Sequence, residues 1–96
     1  MRSILIQPKA KSDLKSIGRY TLAEFGLDQA KRYTSTISRA IERIATGEGR
    51  ASPVTEIGED YSKISVGSHI VYFRITEKEV VIVRILHSRM NAPDHL

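Results

Sequence analysis

The last third of the chain, YSKISVGSHIVYFRITEKEVVIVRILHSRMNAPDHL from Tyr61 to Leu96, restricts the possible folds more than any other stretch. The runs His69 to Ile75 and Glu79 to Leu86 are dense in Val, Ile, Tyr and Phe, whose branched or flat side chains fill a pleated surface. Two central strands are predicted there, preceded by a third from Tyr61 and followed by a short polar tail. Gly67-Ser68 is a two-residue connection with Gly where a type II′ turn needs positive φ, and Thr76 to Glu79 is a second short polar link. The pattern is an antiparallel meander.

A second link of two or four residues puts Arg74 opposite Val81 and Val71 opposite Arg84. Period two then gives one face Ile70, Tyr72, Arg74, Val81, Val83, Ile85 and His87. The other face receives Val71, Phe73, Ile75, Val80, Ile82, Arg84 and Leu86. A three-residue link reverses the assignment. Both faces are largely apolar, so one packs on helices and the other is partly exposed or covered by a partner, a candidate groove for a peptide or helix.

Upstream, Arg2 to Gln7 alternates weakly and is ended by Pro8, which suits the first helical position because its missing N–H needs no partner there. A helix is predicted to Phe25 on the stripe Ala10, Leu14, Ile17, Thr21 and Phe25, closed by Gly26. Lys9, Lys11, Lys15 and Arg19 fall mostly off that stripe and read as a solvated face. Asp28 is placed to cap a second helix, Gln29 to Thr46, with Ala30, Tyr33, Ile37, Ile41 and Ile44 inward and Gly47 as its C-cap. Two amphipathic helices joined this tightly lie antiparallel, and their shared apolar seam needs the meander to cover it. Residues 48–60 are rich in Gly, Ser, Pro and charge and read as a surface loop pinned by Val54 and Ile57.

Ninety-six residues are expected to form one domain, 1–96, with a single core. The apolar run near the start is too short for a signal peptide and no stretch can span a membrane, so a cytoplasmic location without membrane contact is expected. The chain has no cysteine, which removes disulfides, thiolate metal sites and a Cys nucleophile. Fifteen Lys and Arg against eleven Asp and Glu give a net charge of +4, compatible with an acidic partner but too mild to predict direct nucleic-acid binding.

Reactive side chains concentrate near the end: Arg84, His87, Arg89, Asp94 and His95. A His beside an Arg suits metal-free phosphoryl chemistry, the one as acid–base and the other holding the phosphate. A histidine at a strand end is also a common hydrogen-bonded structural residue. His69, His87 and His95 lack close metal-ligand spacing, and neither a metal nor a cofactor is expected. Ser62, Ser65 and Ser68 lie in strand or turn text, and the four tyrosines read as core or rim.

Four pieces taken together, PKAKSDLKSIGRY from Pro8, GLDQAKRY from Gly26, VGSHIVYFR from Val66 and above all RILHSRMNAPDHL from Arg84, resemble a ParE-type toxin of the RelE/ParE toxin–antitoxin superfamily. The resemblance covers nearly the whole chain. It implies an α+β fold of order β-α-α-β-β-β, an antiparallel sheet packed on an N-terminal helical hairpin, which the periodicity reaches independently.

RelE-like members cut messenger RNA on the ribosome, whereas ParE-like members are understood to poison DNA gyrase. Nuclease members carry a basic residue early in the third strand, at or beside Ile70 here, and basic residues in the preceding loop, where this chain has Glu56, Glu59 and Asp60. The resemblance therefore implies a non-enzymatic gyrase inhibitor, neutralised by a ParD-like antitoxin that folds as a helix across the toxin; the antitoxin-binding residues are not assigned. Arg84, His87, Arg89, Met90 and His95 would carry inhibition, and removal of the residues after Leu86 is expected to leave a folded, non-toxic domain. The alternative is a ribosome-dependent ribonuclease with His87 as acid–base and Arg84 or Arg74 on the phosphate. A third reading is a degenerate toxin that only binds its antitoxin.

Overall fold

The computed structural model describes residues 2–96. Strand β1 (Ser3–Ile6) turns Ile4 and Ile6 toward the core and leaves Leu5 exposed, as alternation requires. Pro8 opens helix α1 (Pro8–Phe25), whose positions Ala10, Ile17 and Thr21 are buried. The predicted stripe fails at its last member. Phe25 is 67% exposed, because the helix has by then run past the end of the sheet.

Helix α2 (Leu27–Thr46) begins two residues earlier than its apolar period indicates. Gly26, at φ +90°, occupies the N-cap, so Asp28 lies inside the first turn, where its charge complements the helix dipole instead of capping. Ala30, Ile37, Ile41 and Ile44 are buried as expected, and Gly47 closes the helix in the left-handed conformation at φ +81°.

The sheet has the order β1-β5-β4-β3-β2, built from β2 (Ser52–Pro53), β3 (Tyr61–Val66), β4 (His69–Ile75) and β5 (Glu79–His87). The three-strand meander is present. Two features extend it: β1 joins β5 in parallel, from Ser3 opposite Glu79 to Ile6 opposite Ile82, and the two-residue β2 edges β3. A short helix, α3 (Ala92–His95), ends the chain.

One irregularity corrects the face assignment. Arg74 does lie opposite Val81, but Phe73 opposes Ile82 while Tyr72 opposes Arg84, so Val83 is an extra residue in the ladder. Beyond this bulge the parity of β5 reverses. Val71 therefore faces Ile85 and not Arg84, and Ile85 joins Val71, Phe73, Val80 and Ile82 in the core against the helices. Phe73, Ile37 and Ile82 are fully buried there, each contributing about 1.5–3 kcal/mol.

The second face is covered by the chain itself. Tyr72 and Leu86 pack with Val54 of the 48–60 loop and Ala92 of the tail, with Ile57, Tyr61 and Ile70 around them. Val54 and Ile57 thus pin the loop as predicted. Truncation after Leu86 would strip Ala92 from this second cluster, so that cut is not structurally neutral.

At the β3–β4 turn Gly67 adopts φ +57° and Ser68 does not take a positive φ, the pairing that a type II′ turn demands. A Cβ on Gly67 would also stand 2.7 Å from a ring carbon of Tyr33. Gly67→Ala is expected to lower unfolding free energy by about 1–3 kcal/mol in chemical denaturation. Equal stability would show that the turn and Tyr33 relax freely.

Candidate functional site

The free edge of β5 beyond β1 is where helix, sheet and tail meet. Gln7 donates its N–H to the carbonyl of Ile82, the last rung before the chain turns into α1. Asp13, one turn into α1, then takes over. Its Oδ2 accepts the Ile85 N–H at 2.9 Å and the Arg84 Nε–H at 2.8 Å, while Oδ1 accepts from Arg84 Nη2 at 2.8 Å. Arg84 Nη1 donates to the backbone carbonyl of His95, in α3. The guanidinium thus straddles the sheet edge, tied to the helix layer on one side and to the tail on the other. The hydrogen bond to Asp13 raises the Arg84 pKa beyond its already high ordinary value.

Beside this node lies an imidazole pair. His69 and His87 are cross-strand partners, their ring centroids 5.4 Å apart in an edge-on arrangement. The Tyr33 hydroxyl reaches from α2 to His69 Nδ1 at 2.6 Å and accepts the Ser68 N–H at 3.0 Å. With His69 neutral and its proton on Nε2, that hydroxyl donates to Nδ1. His87 Nδ1 accepts the Arg89 N–H at 3.1 Å, which bends the chain back just after β5. Two clefts flank the pair: one of about 380 Å³ extends past Asp13, Tyr20 and Met90, the other of about 330 Å³ past Tyr20, Phe25 and Tyr33. Burial and the facing His87 push the His69 pKa below the ordinary value, with Asp13 partly opposing them.

The other predicted residues are dispersed. Arg89 and Met90 are exposed in the turn after β5, and His95 contributes its carbonyl to Arg84. Arg74 lies near the far end of β4, its guanidinium carbon 5.7 Å above the Tyr61 ring. It lies five residue steps along the strand from His69, roughly 17 Å. His87, Arg84 and Arg74 therefore do not converge. Among the described residues, no group of three His, Cys, Asp or Glu side chains is placed to hold a metal, and no helix is long and apolar enough to cross a membrane.

Between α2 and β3 runs a larger open groove of about 830 Å³. Arg39 and Arg43 line it from the helix, Arg50 from the following loop and Lys63 from β3, against the single carboxylate of Glu48. β2 pairs only with Ser62 and Lys63, so the edge of β3 from Ile64 to Val66 lies unpaired along the groove floor.

Sequence reasoning missed Asp13, Tyr33 and His69 as parts of the site. Asp13 has no local signature, because its partners lie 71 and 72 residues away. His69 and His87 could have been paired from the meander alone, by counting outward from the Gly67-Ser68 and Glu77-Lys78 turns with a bulge allowed. Tyr33 occupies an inward helical position that ordinary core packing accounts for equally well.

This architecture, a helical hairpin over a mostly antiparallel sheet, is shared with solved proteins of toxin–antitoxin systems. It matches a solved chromosomal ParDE toxin–antitoxin system from P. aeruginosa at a TM-score of 0.77 and 21% identity, covering 91% of this chain and 96% of that one. The model of the ParE toxin of type II toxin–antitoxin systems matches residues 4–92, and the chain belongs to that family. Toxin ParE1 of Caulobacter vibrioides is 34% identical over 96 residues, 100% of this chain and 99% of that protein. Toxin ParE1 of Mycobacterium tuberculosis is 36% identical over 93 residues, 96% and 95% of the two chains.

Because the folded state holds His69 below its unfolded value of 6.5, the fold favours the neutral imidazole. His69 imposes no such penalty above about pH 6.5, and stability falls as pH drops below that value and through the lowered folded pKa. Denaturation of wild type and His69→Gln at pH 7.5 and 5.5 should show a smaller acid loss in the variant. An equal loss in both would remove His69 as the cause.

Proposed function

We propose that this ParE-family toxin inhibits DNA gyrase without being an enzyme itself, stabilising cleaved DNA, and that a ParD-like antitoxin neutralises it. The observation that carries the reading is the dispersal of the groups a metal-free nuclease needs. A pentavalent phosphate requires cations within hydrogen-bond reach of the acid–base residue. Here Arg84 is spent on Asp13 and His95, and Arg74 lies roughly 17 Å along the strand. Arg89 and Met90 are among the tail residues left exposed for a protein target, and Met90 lines the His69–His87 cleft.

The α2–β3 groove suits the antitoxin. Its four cations favour an acidic segment, and the unpaired β3 edge offers main-chain hydrogen bonds where a helix gives way to extended chain. Arg43→Glu with Lys63→Glu should weaken antitoxin binding at least about tenfold at low salt, and the difference should shrink in high salt. Unchanged affinity in a calorimetric titration would move the antitoxin elsewhere.

For the target, purified gyrase, relaxed plasmid and ATP are titrated with the toxin, and linear DNA trapped by denaturant is scored. Loss of supercoiling with accumulation of cleaved DNA is expected. Arg89→Ala with Met90→Ala should raise the effective dose by about tenfold or more, since exposed anchors of this kind each contribute on the order of 1 kcal/mol or more at an interface. No effect from folded protein that is toxic in cells would shift the reading to ribosome-dependent RNA cleavage with His87 as acid–base.

A further inference from the structure

We infer that Asp13 is the residue that positions the C-terminal tail, acting through Arg84, and that Arg84 is a structural link and not a target contact. All three nitrogens of the guanidinium are engaged, through three of its five N–H groups. Nε and Nη2 hold the two oxygens of Asp13 in a bidentate pair, and Nη1 holds the His95 carbonyl. The pair is largely screened from water, with side-chain exposures of 16% for Arg84 and 14% for Asp13.

The tail needs such an anchor. A four-residue helix has no stability of its own, since a single turn costs more backbone entropy than its hydrogen bonds return. Ala92, buried against Tyr72 and Leu86, and the His95 carbonyl on Arg84 tie α3 to the domain. Ala92 is a small side chain with little apolar area. The polar link therefore sets where the helix sits, and through it the path of residues 88–91 that present Arg89 and Met90.

Asp13 is the fixed point of that link. It sits on an 18-residue helix packed against β5, and it also completes the β5 edge by accepting the Ile85 N–H. The carboxylate does for Ile85 what β1 does for the residues before it. Helix α1 thereby transmits its position across the sheet edge to the end of the chain. The inference concerns the fold; only its consequence for gyrase rests on the proposed function.

Amide hydrogen exchange tests it directly, with the α1–α2 hairpin as internal reference. In Asp13→Ala, exchange of residues 90–96 should quicken by about tenfold or more while the central amides of α2 hold wild-type protection. That variant leaves Arg84 an unpaired, mostly buried cation and can lose the fold altogether. Asp13→Asn combined with Arg84→Met removes both charges and the pair they form, keeps an acceptor for Ile85 and deletes the hold on His95 without stranding a buried charge. It too should free the tail, with the hairpin intact. Tail protection at the wild-type level in this double variant overturns the inference.

The same double variant should raise the dose of toxin needed for half-maximal loss of supercoiling by about tenfold, with the same maximal DNA cleavage at saturation. Ile41→Val, which loosens the helix-side core cluster that Ala92 does not belong to, should leave both the dose and tail exchange unchanged. A freed tail with an unchanged dose overturns the functional consequence. Wild-type protein inert toward gyrase defeats the proposed target, and the exchange result then still decides whether Asp13 and Arg84 position the tail.

Discussion

One unpaired residue, Val83, decides how the two halves of this molecule meet. Up to Ile82, β5 alternates in step with β4; past the bulge its parity reverses, so Ile85 enters the core and Leu86 faces the outer cluster. Without the extra residue every side chain from Arg84 onward would change faces. Arg84 would then point under the helices as an unpaired cation, and His87 would leave His69. Instead Arg84 emerges at the outer face, at the level where β1 has ended, and can wrap the open edge to Asp13. The bulge, the early end of β1 at Pro8 and the carboxylate one turn later form a single device that closes the sheet edge and fastens the tail.

Much of the fold could be read from the sequence because its signals are local. The β-branched density of β4 and β5, the 3.6 period of α2 and the glycines at residues 47 and 67 each act within a few residues. The bulge left no such mark. Val83 is as good a strand residue as its neighbours, and only the requirement to bury Ile85 against the helices puts the irregularity there. The parallel pairing of β1 with β5 is equally silent, since it joins segments some 75 residues apart and depends on the helical hairpin bringing β1 back alongside. Phe25 misled for the opposite reason. It continues the local period correctly, but the core ends before the helix does.

The candidate site was half legible. Clustering of Arg84, His87, Arg89 and His95 in sequence marked the stretch where β5 meets α1 and the tail, yet their proximity in the chain hid different employments. Arg84 is bound on three sides, His87 Nδ1 accepts a backbone N–H, and His95 takes part through its carbonyl, a role no side-chain motif can announce. The basic groove shows the converse. Arg39 and Arg43 look like ordinary solvated positions on α2, and Lys63 like an ordinary edge-strand lysine; only the packing of α2 beside β3 turns them into one charged surface.

The sheet order separates the two surfaces in a way that bears on how such a toxin is silenced. β3, with the groove, and β5, with the tail, are parted by β4, so their axes lie about 10 Å apart in the plane of the sheet. The groove's lining includes neither Arg89 nor Met90, so on the proposed function an antitoxin segment confined to it leaves them uncovered. Neutralisation then requires either bulk projecting over the β3–β4 turn or a second segment crossing to the cleft beside His87. The exposed hairpin tip favours the second route, since Tyr20 and Phe25 line the clefts that a crossing chain would enter. A helix followed by an extended segment would meet both surfaces at once. Linking the two would also raise affinity well beyond either alone, because the second contact forms at the high effective concentration that the first imposes.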